Sequence, residues 1–193
     1  MPADWLSDRR TEAAADRILD AAERLFAERD AAAVGMNQIA RAAGCSRATL
    51  YRYFDSRDTL YTAYVHREAQ RLYRELTARV GGLTDPRERL VEGMLTAVRS
   101  VRESPPLASW FTHTGPPIGG EMAERSEVVG VMVGAFVRSL GIDDDAVEPR
   151  SRWLVRILTS LLLFPGRDED DERAMLDEFV VPVVLRPAST PAP

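Results

Sequence analysis

The stretch that most restricts this chain runs from Ala42 to Phe54, Ala-Ala-Gly-Cys-Ser-Arg-Ala-Thr-Leu-Tyr-Arg-Tyr-Phe. Gly44 suits the left-handed backbone position that ends a helix. Ser46, two residues on, is a strong N-cap for the next helix. Two short helices are therefore expected, Met36 to Ala43 and Arg47 to Tyr53, joined by a tight turn. Ile39, Ala40 and Ala43 can pack inward from the first. Leu50 and Phe54, four residues apart, share the inward face of the second. Arg47, Ala48, Thr49, Tyr51 and Arg52 are then left pointing outward, with Tyr53 at the edge.

That outward set is chemically suited to a DNA duplex. Arginine reads guanine edges in the major groove through two hydrogen bonds, and an alanine methyl fits against thymine. Tyrosine and threonine hydroxyls bond phosphate oxygens and set register without reading sequence. Arg57, opening the following helix, can reach the backbone. Four arginines and one aspartate, Asp55, lie between Arg41 and Arg57. The whole chain carries a net charge of −5, which argues against general affinity for nucleic acid. Binding depends on where charges sit, and here they are locally basic. Periodicity alone also leaves open an ordinary surface helix with some arginines.

The remaining sequence reads as all-α, about nine helices punctuated by proline and glycine, with no alternating strand. Ile18, Ala22, Leu25 and Phe26 share one face of a helix over residues 11–29. Ser56 caps a helix reaching about Val80, with Asp58 in its first turn. Asp85 and Pro86 open another that ends near Glu103. Further helices are expected from Glu121 to Leu140, over Arg152–Phe164, and at the C-terminal end, where Pro182 should kink or shorten the last one. At 193 residues and 45 % hydrophobic, the chain can bury a substantial core. Its longest uncharged apolar run, Val128 to Val137, is half a bilayer's requirement. The charged N-terminus lacks a signal-peptide pattern, so a cytoplasmic protein is expected.

Several chemistries find no support. The single cysteine, Cys45, cannot build a disulfide within one chain, and its bland role is packing in the turn. His66 and His113 have no partners at metal-ligand spacing, so no metal and no cofactor are expected. Phosphate-cradling glycine motifs, HExxH and a nucleophile elbow are all missing, which argues against an enzyme. The acidic run Arg167 to Arg173 reads as a solvated loop and helix start. Arg99 and Arg102 are expected to be solvated; either one pointing inward would favour an acidic ligand.

The segments Ile18–Asp30, Asn37–Phe54 and Asp55–Leu60 together resemble the DNA-binding domain of the tetracycline-repressor (TetR) family. The resemblance covers about Ala13 to Tyr64. It implies an N-terminal helix-turn-helix domain over residues 1–56 and a helical ligand-binding and dimerisation domain over residues 57–185. Residues 186–193 form an expected disordered tail. By position, Thr49 and Tyr51 match phosphate-contacting residues, and Arg47, Ala48 and Arg52 match positions facing bases. Tyr53 matches a position that contacts backbone or base, Arg57 matches the usual lysine of the fourth helix, and Asn37 a further DNA contact. Gly35 departs from the usual serine or threonine that opens the second helix, and a hydroxyl contact is lost with it.

The resemblance further implies a homodimer on a near-palindromic operator in double-stranded DNA, most often as a repressor released by a small molecule. Met94, Trp110, Phe111, His113, Met122, Met132 and Phe136 are the material for an apolar ligand cavity, though the same residues serve equally well as core. The run from Gly115 to Gly120 would be its entrance. Trp153, Leu154, Ile157, Leu161, Phe179, Val180 and Val183, on the last two helices, are the candidate dimer interface. No membrane partner is expected. A dimeric helical interaction protein without regulatory DNA binding is the alternative.

Overall fold

Capping residues set most of the element boundaries. The computed structural model describes residues 5–111 and 118–187. Helix α1 spans Trp5–Glu28 and is followed by a 3-10 turn, Ala31–Ala33, capped by Asp30. Helices α2 (Met36–Ala42) and α3 (Arg47–Tyr53) form the helix-turn-helix. Helix α4 (Arg57–Val80) starts where the Ser56 hydroxyl accepts from the Thr59 amide at 3.0 Å. Helix α5 (Pro86–Glu103) starts where Asp85 accepts from the Arg87 amide at 3.1 Å, with Pro86 in the first turn. A single helical turn, α6 (Pro105–Ala108), runs into a 3-10 turn, Ser109–Phe111. Then come α7 (Ile118–Arg125), α8 (Glu127–Ser139) and α9 (Asp144–Leu163). The chain closes with one rod: α10 (Glu169–Met175), a π turn (Leu176–Val180) and α11 (Val181–Val184). The described residues contain no strand.

Two boundaries differ from expectation. The single helix expected from Glu121 to Leu140 is two helices that meet at Ser126. Its hydroxyl accepts from the Val129 amide at 3.2 Å and so starts α8 afresh. Pro182 does not end the last helix, which runs on to Val184. The turn before it widens, so that the Val181 amide reaches the Leu176 carbonyl five residues back. The helix then continues past a residue with no amide proton to give.

Two cores are stacked end to end along α4. The first takes Ile18, Ala22 and Phe26 from α1, Ile39 and Ala40 from α2, Leu50 from α3, and Leu60, Tyr61 and Tyr64 from α4. The second is built round α5, whose Leu90, Val91, Met94, Leu95, Val98 and Val101 are buried against α9 and the last rod. Leu76 and Val80, from the far half of α4, belong to it. The packing of the N-terminal unit thus extends past residue 56, through Tyr64. Each fully buried side chain of this size contributes about 1.5–3 kcal/mol, so α4 is anchored at both ends.

The acidic run after Arg167 is not wholly solvated. Glu172 is 2 % exposed, and both its oxygens accept from Arg102, at 2.6 and 3.0 Å. Oε1 also accepts from the Gly166 amide at 2.9 Å, and Arg102 donates to the Leu161 carbonyl at 2.8 Å. Arg102 is therefore engaged in tying α5 to α9 and α10. Among the described residues no helix is long and apolar enough to cross a membrane.

Candidate functional site

The turn of the helix-turn-helix closes through three backbone bonds. The Ala43 amide reaches the Ile39 carbonyl at 2.8 Å, Gly44 reaches Arg41 at 3.2 Å, and Cys45 reaches Ala40 at 3.0 Å. This is a Schellman closure, and it needs Gly44 at φ +68°, which costs a residue with a Cβ. Ser46 then caps α3: its hydroxyl accepts from the Thr49 amide at 3.0 Å and lies 2.9 Å from the Thr49 hydroxyl. At the other end of the unit, the Gln38 side chain accepts from the Gly35 amide at 2.8 Å. Gln38 thereby caps the Gly35 amide, while the hydroxyl contact that position 35 would offer a phosphate stays lost. The Gly-x-x-Gln spacing is half a capping box and was the signal for it.

With Leu50 fully buried and Phe54 nearly so, the other face of α3 is turned out. Arg47, Ala48 and Arg52 are exposed, as are Asn37 on α2 and Arg57 on α4. Thr49, Tyr51 and Tyr53 are half-buried, rooted in the core at their bases. The Arg47 guanidinium lies 5.2 Å from the centre of the Tyr51 ring, and that of Arg52 lies 5.4 Å from Tyr53. Such cation–π contacts hold long side chains in place over rigid rings. Arg57 lies 5.4 Å from the Tyr61 ring and donates to the Ala32 carbonyl at 3.4 Å. Burial pushes the Tyr61 hydroxyl up to about 12, against the opposing pull of Arg57. It remains a donor, 2.6 Å from the carbonyls of both Ala31 and Val34. All eight residues expected to meet DNA thus lie at the surface of the N-terminal unit, wholly or in part.

A cavity of ≈ 170 Å³ opens in the larger core, between α4, α5, α7, α8 and α9. Met94, Trp110, Phe111, Met132 and Phe136 are on its wall. Gly93 lies so close to Phe136 that a Cβ there would sit 2.6 Å from the ring, so the glycine lets the ring lie back against α5. Met122 is not on this wall; it borders a separate, more polar depression with Asp58 and Arg125. His113 and residues 115–117 of the expected entrance loop fall outside the described residues, as does most of the expected tail.

Trp110 has a second role that its local sequence does not disclose. It is 2 % exposed, with its ring 5.2 Å from Phe26, 5.0 Å from Tyr61 and stacked 5.6 Å from Tyr64. It belongs to the core of the N-terminal unit while also touching the cavity. Glu68 was not foreseen either. It is buried, and it is the one charged residue among the described residues on the cavity wall. Its position on the stripe Val65, Glu68, Leu72, Leu76 was the available signal.

Glu68 is also the centre of an ion cluster. Oε1 accepts from Arg67 Nε at 3.1 Å and from Arg71 at 3.0 Å, and Oε2 holds a longer bond to Arg71 at 3.3 Å. Arg67 reaches across to α1, to Asp20 and Glu23, each at 2.7 Å. Burial pushes the Glu68 carboxyl up, further raised by Glu23, and Arg71 and Arg67 only partly offset this.

The expected dimer set divides in two. Leu154, Leu161 and Val180 are buried within the subunit, and Leu154 touches the cavity. They pack against α5 and are not presented outward, because α9 and the last rod each carry apolar residues on two faces. Trp153, Phe179 and Val183 are exposed, at 41 %, 63 % and 46 %, and Ile157 is half-buried.

A capped helix-turn-helix with an outward basic face, on an all-helical body, defines a DNA-binding transcriptional regulator. Residues 18–64 match the family model of bacterial regulatory proteins of the tetR family. An HTH-type transcriptional regulator of Mycobacterium tuberculosis is 65 % identical over 190 residues, covering 98 % of this chain and 94 % of the relative. The regulator AlkX of Mycobacterium tuberculosis is 30 % identical over 192 residues, covering 89 % and 85 %. Among solved structures, the TetR family repressor AlkX from Dietzia sp., implicated in biodegradation of n-alkanes, superposes with a TM-score of 0.60 at 26 % identity. That match covers 87 % of this chain and 93 % of the other. The chain belongs to the TetR family of transcriptional regulators.

Proposed function

We propose that the protein is a homodimeric repressor that leaves its operator when a small, mainly apolar molecule enters the cavity. The outward face of α3 carries this reading, with Arg47, Ala48 and Arg52 exposed beside the hydroxyls of Thr49 and Tyr51. Two such helices related by a twofold axis would enter successive major grooves about 34 Å apart, so the operator would be a near-palindrome. Thr49, Tyr51 and Arg57 would hold phosphates, and Arg47 and Arg52 would read bases. Exposed Trp153, Phe179 and Val183 would meet their copies across the axis. The ligand would prefer a state with the two heads apart and would weaken DNA binding by its differential affinity. The apolar wall, and the n-alkane setting of the Dietzia repressor, support a hydrocarbon-like body for that ligand.

The test is fluorescence anisotropy with DNA tiled across the region upstream of the gene, at several salt concentrations. Saturable, salt-sensitive binding to one palindromic segment is expected. Tyr51→Phe should weaken binding to all sequences alike, whereas Arg52→Ala should relax base preference at one position per half-site, by about 1–3 kcal/mol. The reverse pattern would show that the two roles are misassigned. Sequence-indifferent binding throughout would refute the operator.

A further inference from the structure

Two aromatic rings on the cavity wall end on glycines. The Phe136 ring, from α8, points at Gly93 of α5: a Cβ there would lie 2.6 Å from Cζ and 3.1 Å from Cε2. The Phe111 ring, from the 3-10 turn after α6, points at Gly119 of α7: a Cβ there would lie 2.7 Å from Cζ and 2.9 Å from each Cε. All four residues are on the wall, and both glycines are buried. The pairs bring together four elements, α5 with α8 and the 3-10 turn with α7.

The backbone does not ask for glycine at position 93. Among the described residues only Gly44 and Gly141 have a positive φ. Gly93 lies in the middle of an 18-residue helix, where alanine is the better helix former. What the glycine supplies is room, and the Phe136 ring takes it. Carbon atoms rest about 3.5–4.0 Å apart, so a Cβ at position 93 would drive the ring about 1 Å away from α5. The cavity lies alongside, and the displaced ring would occupy part of it. Phe111 stands in the same relation to Gly119. Met94, next to Gly93, and Met132, one turn before Phe136, are flexible and adapt to what lies between them.

We infer that the two glycine-seated rings set the size of group the cavity takes, and that they fit it to a compact hydrocarbon such as a single ring with one short substituent. The inference rests on the reading of the cavity as a ligand site. A cavity of about 150 Å³ lined by aliphatic and aromatic side chains holds benzene, and this one has ≈ 170 Å³. That room exists because each ring lies back on a glycine. A side chain at position 93 or 119 takes it away, and a shorter side chain at 136 or 111 extends it.

The experiment is isothermal titration of the full-length protein with benzene, ethylbenzene and pentylbenzene. A cavity that accepts each added CH₂ gains about fourfold in affinity per group. Ethylbenzene should bind at least about tenfold more tightly than benzene, whereas the step on to pentylbenzene should bring less than about fourfold in all. Gly93→Ala should weaken ethylbenzene at least about tenfold and benzene by less than about threefold. Phe136→Leu should let the gain continue, with pentylbenzene at least about tenfold tighter than ethylbenzene. Adding Phe136→Leu to Gly93→Ala should restore ethylbenzene to within about threefold of the original protein, because the new Cβ then meets no ring. Should Gly93→Ala fold poorly, Gly119→Ala with and without Phe111→Leu makes the same comparison on the other pair. Affinity that climbs about fourfold per CH₂ through to pentylbenzene in the original protein overturns the inference. So does a glycine substitution that leaves the profile unmoved, or a loss that shortening the facing ring does not restore. In those cases the hydrocarbons still bind, so the ligand cavity stands and only the size filter falls. If none of the three binds to any of these proteins, the reading of the cavity as a ligand site falls as well.

Discussion

Tyr61 and Tyr64, neighbours on one face of α4, show how much depends on a single hydroxyl. Both rings pack edge-on against Phe26, at 5.4 and 5.0 Å, and both are buried. The Tyr61 hydroxyl serves two carbonyls of the Ala31–Val34 turn. That of Tyr64 meets no hydrogen-bond partner among the described residues, and burial pushes its ionisation far above the usual tyrosine range. Removing a satisfied donor leaves carbonyls unpaired, whereas removing an unsatisfied one relieves a desolvation cost. Tyr61→Phe should therefore destabilise by about 1–2 kcal/mol, and Tyr64→Phe should be neutral or slightly stabilising. Thermal denaturation separates the two, at about 2–4 °C per kcal/mol for a chain of this size; equal losses would refute the distinction. Both tyrosines were visible in the sequence as part of the family-like segment. Their fates were not, because they depend on a turn about 30 residues upstream and on Trp110, well over 40 residues downstream.

Among the elements, those with a local physical signature were legible. Gly44, Ser46, Ser56 and Asp85 each mark an end that backbone geometry and capping chemistry demand, and the structure places α2 to α5 accordingly. The break at Ser126 was harder to see, because helix-favouring residues run through it on both sides and the cap is one serine among them. The burial of Glu172 was not legible at all. Five acids in a row look alike, and the partner that singles one out, Arg102, lies 70 residues earlier. That pair yields a test by pH. Burial alone would raise the Glu172 carboxyl, but Arg102 and the Gly166 amide outweigh it, and the net shift is below the ordinary 4.5. A carboxyl held lower in the folded state adds stability above its unfolded value and loses it as pH falls through the folded one. The melting temperature should therefore drop as the pH is taken below about 4.5, and Glu172→Gln should flatten part of that slope while lowering stability at pH 7. A variant with an unchanged acid limb would show that other carboxyls carry the transition.

At the scale of the whole molecule, the sequence could not say which face of α9 or of the last rod looks inward. Trp153 and Leu154 are adjacent, as are Phe179 and Val180, so both faces are apolar and periodicity fits either. Packing against α5 decides it, burying Leu154, Leu161 and Val180 and leaving Trp153, Phe179 and Val183 outside. Large apolar residues left exposed on a folded subunit point to a surface that is covered in use. Phe179→Glu with Val183→Glu should leave the fold intact, by circular dichroism, and yield monomers in sedimentation. DNA affinity should then fall by about 10²- to 10⁴-fold, since two linked heads bind with an advantage of that order over one. Leu161→Glu should instead unfold the subunit, because it places a charge in the core at 7 % exposure. If the exposed pair leaves the dimer unchanged, the interface lies on another face; if Leu161→Glu alone gives folded monomers, the inward and outward faces of α9 are the reverse of those described.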